Sequence, residues 1–289
     1  MPIFNAERFL NCAIESIRAQ SLEDFELILI DDGSTDGSAG IMERHAAEDA
    51  RILLHSVPHG GVARALNRGL AVARSGLVAS MNADDIAAPA RLTRQVAYME
   101  TYLEIAALGT AAKVIAADGT ILGHSAPETD PACIRDGLLK FNLLAHPTVM
   151  MRRDHVVAAG GYRPIFRAAE DYDLWLRLSE RHALANLPEE LLTYRTHAEQ
   201  ATARLWRLGT LEALGAQQAA RLRRAGRGDP LEHFTRVDAR TLRAIGLGRS
   251  TIAAALDGQQ IAAPPLPARA EPVQRSTIGR WFRSTAARR

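Results

Sequence analysis

Two aspartate clusters stand directly after short apolar runs. Asp31-Asp32-Gly33-Ser34 follows Phe25-Glu26-Leu27-Ile28-Leu29-Ile30, and Asn82-Ala83-Asp84-Asp85 follows residues 77–81. Each run reads as a buried strand that stops at a turn. Carboxylates at strand ends have three uses. They cap the following helix, hydrogen-bond a ribose hydroxyl, or hold a divalent cation against phosphate oxygens, since hard oxygen ligands suit Mg²⁺ or Mn²⁺. Capping accounts for a lone aspartate. Adjacent carboxylates repel, so Asp84-Asp85 argues for a cation or a donor-rich ligand beside the pair. A third acidic group, Glu170-Asp171 with Asp173 two residues on, opens the helical pattern that carries Trp175. The helix dipole accounts for first-turn acids such as Glu170. A carboxylate delivered there by the Gly160-Gly161-Tyr162 turn is also a candidate general base for a hydroxyl nucleophile.

The elements that must position these acids follow from spacing. Residues 6–20 carry Phe9, Leu10, Ala13, Ile14 and Ile17 at helical intervals. Residues 38–47 predict a second helix, 51–57 a strand, and 62–74 a helix with Val62, Leu66, Leu70 and Ala73 on one face, stopped at Gly76. Pro89 suits the first turn of a helix carrying Leu92, Val96, Met99 and Leu103. This alternation predicts βαβ units and a parallel sheet, with both acid clusters on one carboxyl edge, where such sheets bind ligands. Further on, 105–116 and 120–123 predict a strand pair around Asp118-Gly119. Residues 148–152 predict a strand, 168–181 a helix burying Leu174, Trp175 and Leu178, and 201–225 a long Ala/Leu/Arg helix. Pro264, Pro265, Pro267 and Pro272 mark 262–275 as a linker, followed by a short basic tail, 278–289, with Trp281 and Phe282. The expected division is a main domain at 1–200, a helical extension at 201–261, and a linker with tail at 262–289. The opening Met1-Pro2-Ile3-Phe4-Asn5 looks like the tail of a central strand and its loop. A start assigned a few residues late is favoured over a sheet lacking most of that strand.

Composition narrows the class. The chain has 289 residues, 47% apolar and 24% charged, ordinary globular usage that excludes wholesale disorder. There is no uninterrupted run of eighteen apolar residues to read as a membrane span, and Glu7 and Arg8 interrupt the N-terminus before a signal-peptide core forms. Cys12 and Cys133 make no CxxC pair and read as small buried apolar side chains in a reducing cytoplasm. Neither GxGxxG nor GxxxxGK[ST] occurs, which argues against a dinucleotide fold and a P-loop. Nucleotidyltransferases also put acids at strand ends, but no glycine-rich phosphate loop followed by a basic residue lies near the first strand. The net charge of +2 is asymmetric: residues 1–203 hold 19 basic and 27 acidic residues, and residues 204–289 hold 16 arginines and 6 acids. The Arg-rich part reads either as a solvated appendage with biased codon usage or as a peripheral contact with an anionic membrane surface. Nucleic acid is disfavoured, because no recognition motif accompanies the charge.

Taken in order, Pro2-Ile3-Phe4-Asn5, Ile30-Asp31-Asp32-Gly33-Ser34-Thr35-Asp36-Gly37-Ser38, Asn82-Ala83-Asp84-Asp85 and Glu170-Asp171-Tyr172-Asp173-Leu174-Trp175 resemble glycosyltransferase family 2. Residues 61–76 and Ala145-His146-Pro147-Thr148 fit the same pattern, so the likeness covers roughly residues 1–200. It implies an α/β fold of the GT-A type, a nucleotide-binding mixed sheet flanked by helices. It also implies an inverting, metal-dependent transferase of hexosyl or N-acetylhexosaminyl groups from a nucleotide sugar such as a UDP-sugar. The acceptor would be a glycan or a lipid-linked acceptor of surface polysaccharide synthesis, in the cytoplasm or on the inner face of the cell membrane. Residue by residue, the resemblance puts Phe4 on the nucleobase with Pro2 in the same loop, Asp32 on the base and Asp84 on the ribose. It puts Asp85 on a Mn²⁺ or Mg²⁺ cofactor and makes Asp171 the catalytic base. Asn82 departs from the commoner Asp of the family string, which bears on metal affinity.

Weaker candidates carry two readings each. Arg64 contacts phosphate or is a solvated helix charge. His146 lines the acceptor side or is a hydrogen-bonded structural histidine. His197, ending the run Leu191-Leu192-Thr193-Tyr194-Arg195-Thr196, closes over the diphosphate or does not. Glu170 belongs to the acceptor side or to the helix dipole. Trp175 reads as core. The alternative to an enzyme is a catalytically weak relative that keeps the fold as a nucleotide- or glycan-binding module.

Overall fold

The computed structural model describes residues 1–257 and the two-residue strand 268–269. The first part alternates as the apolar spacing predicts: β1 (Pro2–Ile3), α1 (Glu7–Arg18), β2 (Leu27–Asp31), α2 (Ser38–Glu48), β3 (Ile52–Ser56) and α3 (Val62–Val72). Helix α1 buries Leu10, Ala13, Ile14 and Ile17 along one stripe, with Glu7 in its first turn and Arg18 in its last, as the helix dipole favours. The three strands form a parallel sheet in the order β1-β2-β3.

The second sheet is separate. The chain continues through β4 (Leu77–Ala79), β5 (Ile86–Ala87), α4 (Arg91–Thr101), β6 (Ile105–Ala116), β7 (Ile121–Ser125), α5 (Pro131–Gly137), β8 (Met150–Arg152), α6 (Arg153–Ala158), α7 (Glu170–Leu178) and β9 (Ala183–Thr196). The helices α8 (Ala201–Arg204), α9 (Trp206–Arg224), α10 (Ala239–Ala244) and α11 (Arg249–Asp257) follow, and then β10 (Ala268–Arg269). Strands run β10-β7-β6-β8-β4, and β9 bonds to both β5 and β6. The β6–β9 pair is parallel and the other pairs are antiparallel. The expectation of one parallel sheet with both acid clusters on a single edge is therefore corrected. Strand β4 has only three residues and bonds to β8, so Asp31-Asp32 and Asp84-Asp85 follow strands of different sheets. The strand pair around Asp118-Gly119 is present as β6–β7, with Gly119 at φ +93°.

Strand β6 is buried along nearly its whole length, the signature of a strand covered on both faces. Helix α7 buries Leu174, Trp175, Leu176 and Leu178 in the same apolar cluster as Ala213, Leu214, Ala216 and Ala220 of α9, Leu242 of α10 and Ile252 of α11. One core thus runs across residue 200, where the sequence suggests a boundary. Cys12 and Cys133 are exposed rather than buried. Cys12 lies off the buried stripe of α1, and α5 buries only Ile134. The 278–289 tail, and the 262–275 linker apart from β10, lie outside the described residues. No helix among the described residues is long and apolar enough to cross a membrane.

Candidate active site

Three groups of side chains assemble, each from a different pair of loops. In the first, the chain turns after β1 at Asn5, whose φ of +50° is left-handed and tolerated by a short polar side chain. Asn5 Oδ1 accepts the Thr35 N–H at 2.7 Å, tying the loop after β1 to the loop after β2. Phe4 is left 46% exposed, and its ring stacks on His59 with centroids 4.2 Å apart. Pro2 is half-buried opposite Ile30. Asp32 is buried and accepts the N–H of Gly60 at 2.8 Å and of Gly61 at 2.9 Å. Its carboxylate also lies 2.9 Å from His59 Nδ1. Both oxygens of the expected base-binding acid are thus engaged by the 59–61 loop, and they hold His59 against Phe4. Gly33, at φ +77°, is required here: a Cβ would lie 3.0 Å from the His59 backbone nitrogen. Arg64, exposed in the first turn of α3, curls over Gly60, where an added Cβ would meet its Cδ at 2.9 Å.

The second group separates the two adjacent aspartates. Asp85 is fully buried; Oδ1 accepts the Arg195 N–H at 2.9 Å and Oδ2 the Asn82 side-chain amide at 3.1 Å. Burial, and then the Asp84 charge, push its carboxyl well above the ordinary range. Arg91 is equally enclosed, with its guanidinium lowered to about 10 by burial against the opposing pull of Asp85. Asp84 is different. Its side chain keeps 19% exposure, and Oδ2 lies 2.9 Å from His197 Nε2. Gln200 Nε2 donates to the same oxygen at 3.3 Å. The other His197 nitrogen contacts Glu199 at 2.9 Å. The resemblance puts the cation on Asp85, whose two oxygens each accept one hydrogen bond here, from the Arg195 N–H and from the Asn82 amide. Asp84 is the more exposed of the two aspartates, and its side-chain partners are His197 and Gln200.

The third group sits at the start of α7. Asp171 Oδ2 accepts the Asn142 amide at 3.1 Å, and Oδ1 accepts the Tyr172 N–H at 2.6 Å. Burial raises its carboxyl above the ordinary aspartate range, against the pull of those donors. Glu170 is raised further, by burial and then by the Asp171 charge, and its sealed Oε2 has no partner among the described residues. Asp173 is fully buried between Arg163 and Arg177, a structural ion pair. Trp175 is core, as its spacing predicts.

Further side chains pack beside these groups. Phe9, five residues after Phe4, lies 5.1 Å from the His197 ring and under the Arg195 guanidinium at 4.6 Å. His146 bridges Ser80, at the end of β4, to the Tyr162 hydroxyl at 2.9 Å, and lies 6.0 Å from Trp175. It is buried, and burial drives its imidazole down to about 3. Of its two readings, the geometry fits the hydrogen-bonded structural histidine: neutral at physiological pH, it braces the loop instead of facing solvent. Sequence reasoning missed His59 and Arg195. The signal for His59 was its place ahead of Gly60-Gly61 at a strand-to-helix turn. Arg195 had no local signal, since Asp84 and Asp85, which it contacts, lie over 100 residues away.

Among the described residues no cluster of three or more His, Cys, Asp or Glu is poised to hold a metal. The Asp84–His197 pair still fits a hard cation of the Mg²⁺ or Mn²⁺ kind, which keeps several waters and takes one or two protein ligands plus substrate phosphates.

The fold is shared with nucleotide-sugar transferases of the GT-A type. The S. aureus TarS fragment 1–349 in complex with UDP-GlcNAc superimposes with a TM-score of 0.63 at 14% identity, over 88% of this chain and 68% of that one. The mannosyltransferase PcManGT from Pyrobaculum calidifontis, in complex with GDP-Man and Mn²⁺, gives 0.55 at 17% identity, over 91% and 75%. The family model for glycosyl transferase family 2 matches residues 1–158, and the chain belongs to that family. It is 34% identical over 226 residues to EpsE of Bacillus subtilis strain 168, named as a glycosyltransferase, covering 76% of this chain and 80% of EpsE. It is 33% identical over 204 residues to the O-antigen biosynthesis glycosyltransferase WbnJ of Escherichia coli, covering 68% and 78%. The chain is a glycosyltransferase.

Proposed function

We propose that this glycosyltransferase works by inversion, moving a hexosyl or N-acetylhexosaminyl group from a UDP-sugar to a hydroxyl of a glycan or lipid-linked acceptor in surface polysaccharide synthesis. The observation that carries the cation assignment is Asp84, a partly exposed carboxylate beside His197 and next to buried Asp85; the UDP-sugar donor is supported by the resemblance and by S. aureus TarS, solved in complex with UDP and with UDP-GlcNAc. The names of WbnJ and of the amylovoran biosynthesis glycosyltransferase AmsE of Erwinia amylovora support the polysaccharide setting.

In this reading Phe4 and His59 receive the nucleobase, with Pro2 and Asp32 shaping the same loops. Asp84, with His197 beside it, would hold Mn²⁺ or Mg²⁺, and Arg64 faces the diphosphate. A bound cation would offset the charge that develops on the departing diphosphate. Asp171 takes the proton of the acceptor hydroxyl as its oxygen attacks the anomeric carbon from the opposite face. The bond from that carbon to the diphosphate oxygen breaks, and the nucleotide leaves with the electron pair. A carboxyl raised by burial is a stronger base than an ordinary aspartate yet stays largely ionised near neutral pH. Asn142 orients it, and Glu170, kept largely protonated by burial, lies beside it on the acceptor side. The place of action is the cytoplasm or the inner membrane face, with the Arg-rich C-terminal part as a peripheral contact.

A thermal-shift screen of UDP, GDP and their sugars, with and without Mn²⁺, tests the donor assignment, because preferential binding raises apparent stability. A Mn²⁺-dependent shift with UDP is the expected result. Equal shifts with and without Mn²⁺ would refute the cation site, and a shift with GDP alone would refute the UDP assignment.

A further inference from the structure

Glu212 lies on α9, beyond the residues matched by the family model and outside every motif of the sequence. It is 1% exposed. Its carboxylate accepts three consecutive backbone N–H groups: Arg167 at 2.9 Å, Ala168 at 2.8 Å and Ala169 at 3.1 Å, with a second contact from Arg167 to the other oxygen at 3.0 Å. Ala169 is the cap residue of α7, and Glu170 and Asp171 are its first two helical residues. The cap has no side-chain hydrogen bond of its own. Glu212 therefore does from another helix what a capping side chain does locally, at the turn that carries the base.

We propose that Glu212 is a positioning residue for Asp171: by clamping the backbone of residues 167–169 from α9, it fixes where the first turn of α7 points the Asp171 carboxylate. The role as base rests on the reading given under Proposed function; the clamp does not. A carboxylate suits the job and an amide does not. Oε2 accepts all three N–H groups and Oε1 the second Arg167 contact; glutamine would turn its NH₂ toward the Arg167 N–H there and lose the charge that strengthens the other three bonds. Burial pushes the Glu212 carboxyl up to about 7 against the pull of those three N–H donors, so the chain tolerates an acid where an apolar residue would bury more cheaply. Gly209, one turn earlier on α9, faces the same loop, where a Cβ would rest in ordinary contact 3.5 Å from the Ala168 carbonyl. The groups facing the clamp are Glu170 and Asp171 from α7, Arg167 on the loop and Asn142 from the segment after α5.

The test uses the full chain with ¹³C-labelled aspartate, the Asp171 carboxyl signal being assigned by its loss in Asp171→Asn. In Glu212→Gln the Asp171 midpoint should fall by about one pH unit or more toward the ordinary aspartate value, as the unclamped turn opens to solvent. Amide exchange at residues 167–172 should speed at least tenfold while Leu174–Leu178 stay protected. An unchanged Asp171 midpoint overturns the proposal. So does exchange that speeds equally along all of α7, which marks Glu212 as general packing. If Glu212→Gln does not fold, Glu212→Asp, which keeps the charge but withdraws it by one methylene, is read by the same two criteria. Release of UDP from UDP-GlcNAc by Asp171→Asn tests the base separately. Undiminished turnover there removes Asp171 as base, while a moved midpoint in Glu212→Gln still upholds the clamp.

Discussion

Glu170→Gln should make the protein more stable, and by an amount that grows with pH. The side chain sits beside Asp171, with Oε2 sealed from water and unpaired among the described residues. Burial first, and then the Asp171 charge, raise its carboxyl from the ordinary 4.5 to about 8 in the folded state. The folded state therefore prefers the neutral acid. Its contribution is fully present below about pH 4.5 and is lost as pH rises toward 8. Each pH unit between those limits costs the folded state about 1.4 kcal/mol. Sharing of charge with Asp171 reduces the total, which leaves about 2–3 kcal/mol at pH 7.5. Glutamine imitates the neutral acid at every pH and escapes this loss. Urea denaturation of both proteins at pH 4.5, 6 and 7.5 reads the difference directly. The two should match at pH 4.5, with the variant ahead by about 2–3 kcal/mol at pH 7.5. A constant gap across that range would show that Glu170 keeps its ordinary titration, and the picture of a strained acid pair at the start of α7 would fail.

Asp171→Asn should lower turnover by about 10²–10⁴ with UDP binding intact, measured as initial rate beside calorimetric affinity; near-normal turnover of a folded variant would remove it from the base role. The adjacent aspartates should behave oppositely. Asp84→Ala should abolish the Mn²⁺-dependent gain in UDP binding with little change in denaturation midpoint. Asp85→Ala, which strands the Arg195 N–H and the Asn82 amide beside buried Arg91, should cost about 2–4 kcal/mol of stability. Phe4→Ala should weaken UDP binding about tenfold by titration calorimetry, through lost base stacking, and leave stability within about 1 kcal/mol because the ring is already half exposed.

Much of this architecture is local and so is written in the residue order. The stripe of Leu10, Ala13, Ile14 and Ile17 makes α1 amphipathic wherever it folds, and the apolar run before Asp31 makes a strand that must end at the turn containing Gly33. Trp175 falls on the buried face of α7 by helical spacing alone. The failures are equally physical. A single parallel sheet was expected because alternation was visible, but alternation does not say whether β4 bonds to a parallel neighbour or, as it does, to antiparallel β8. Cys12 was expected inside from its residue type, whereas its place on the helix puts it outside.

The sequence by itself determined the elements, the acids at the strand ends and the acid-rich first turn of α7, because periodicity and turn chemistry act within a few residues. Only the tertiary structure decided what each acid can do. Asp84 and Asp85 are neighbours in the chain, yet Asp85 is sealed by the Arg195 N–H and Asp84 is left beside His197, both arriving on the far end of β9. Asp171 is similarly set by Asn142 and by the backbone that Glu212 grips from α9. Burial and hydrogen bonding fix the charge and reach of a carboxylate, and both come from residues that no local pattern connects to it.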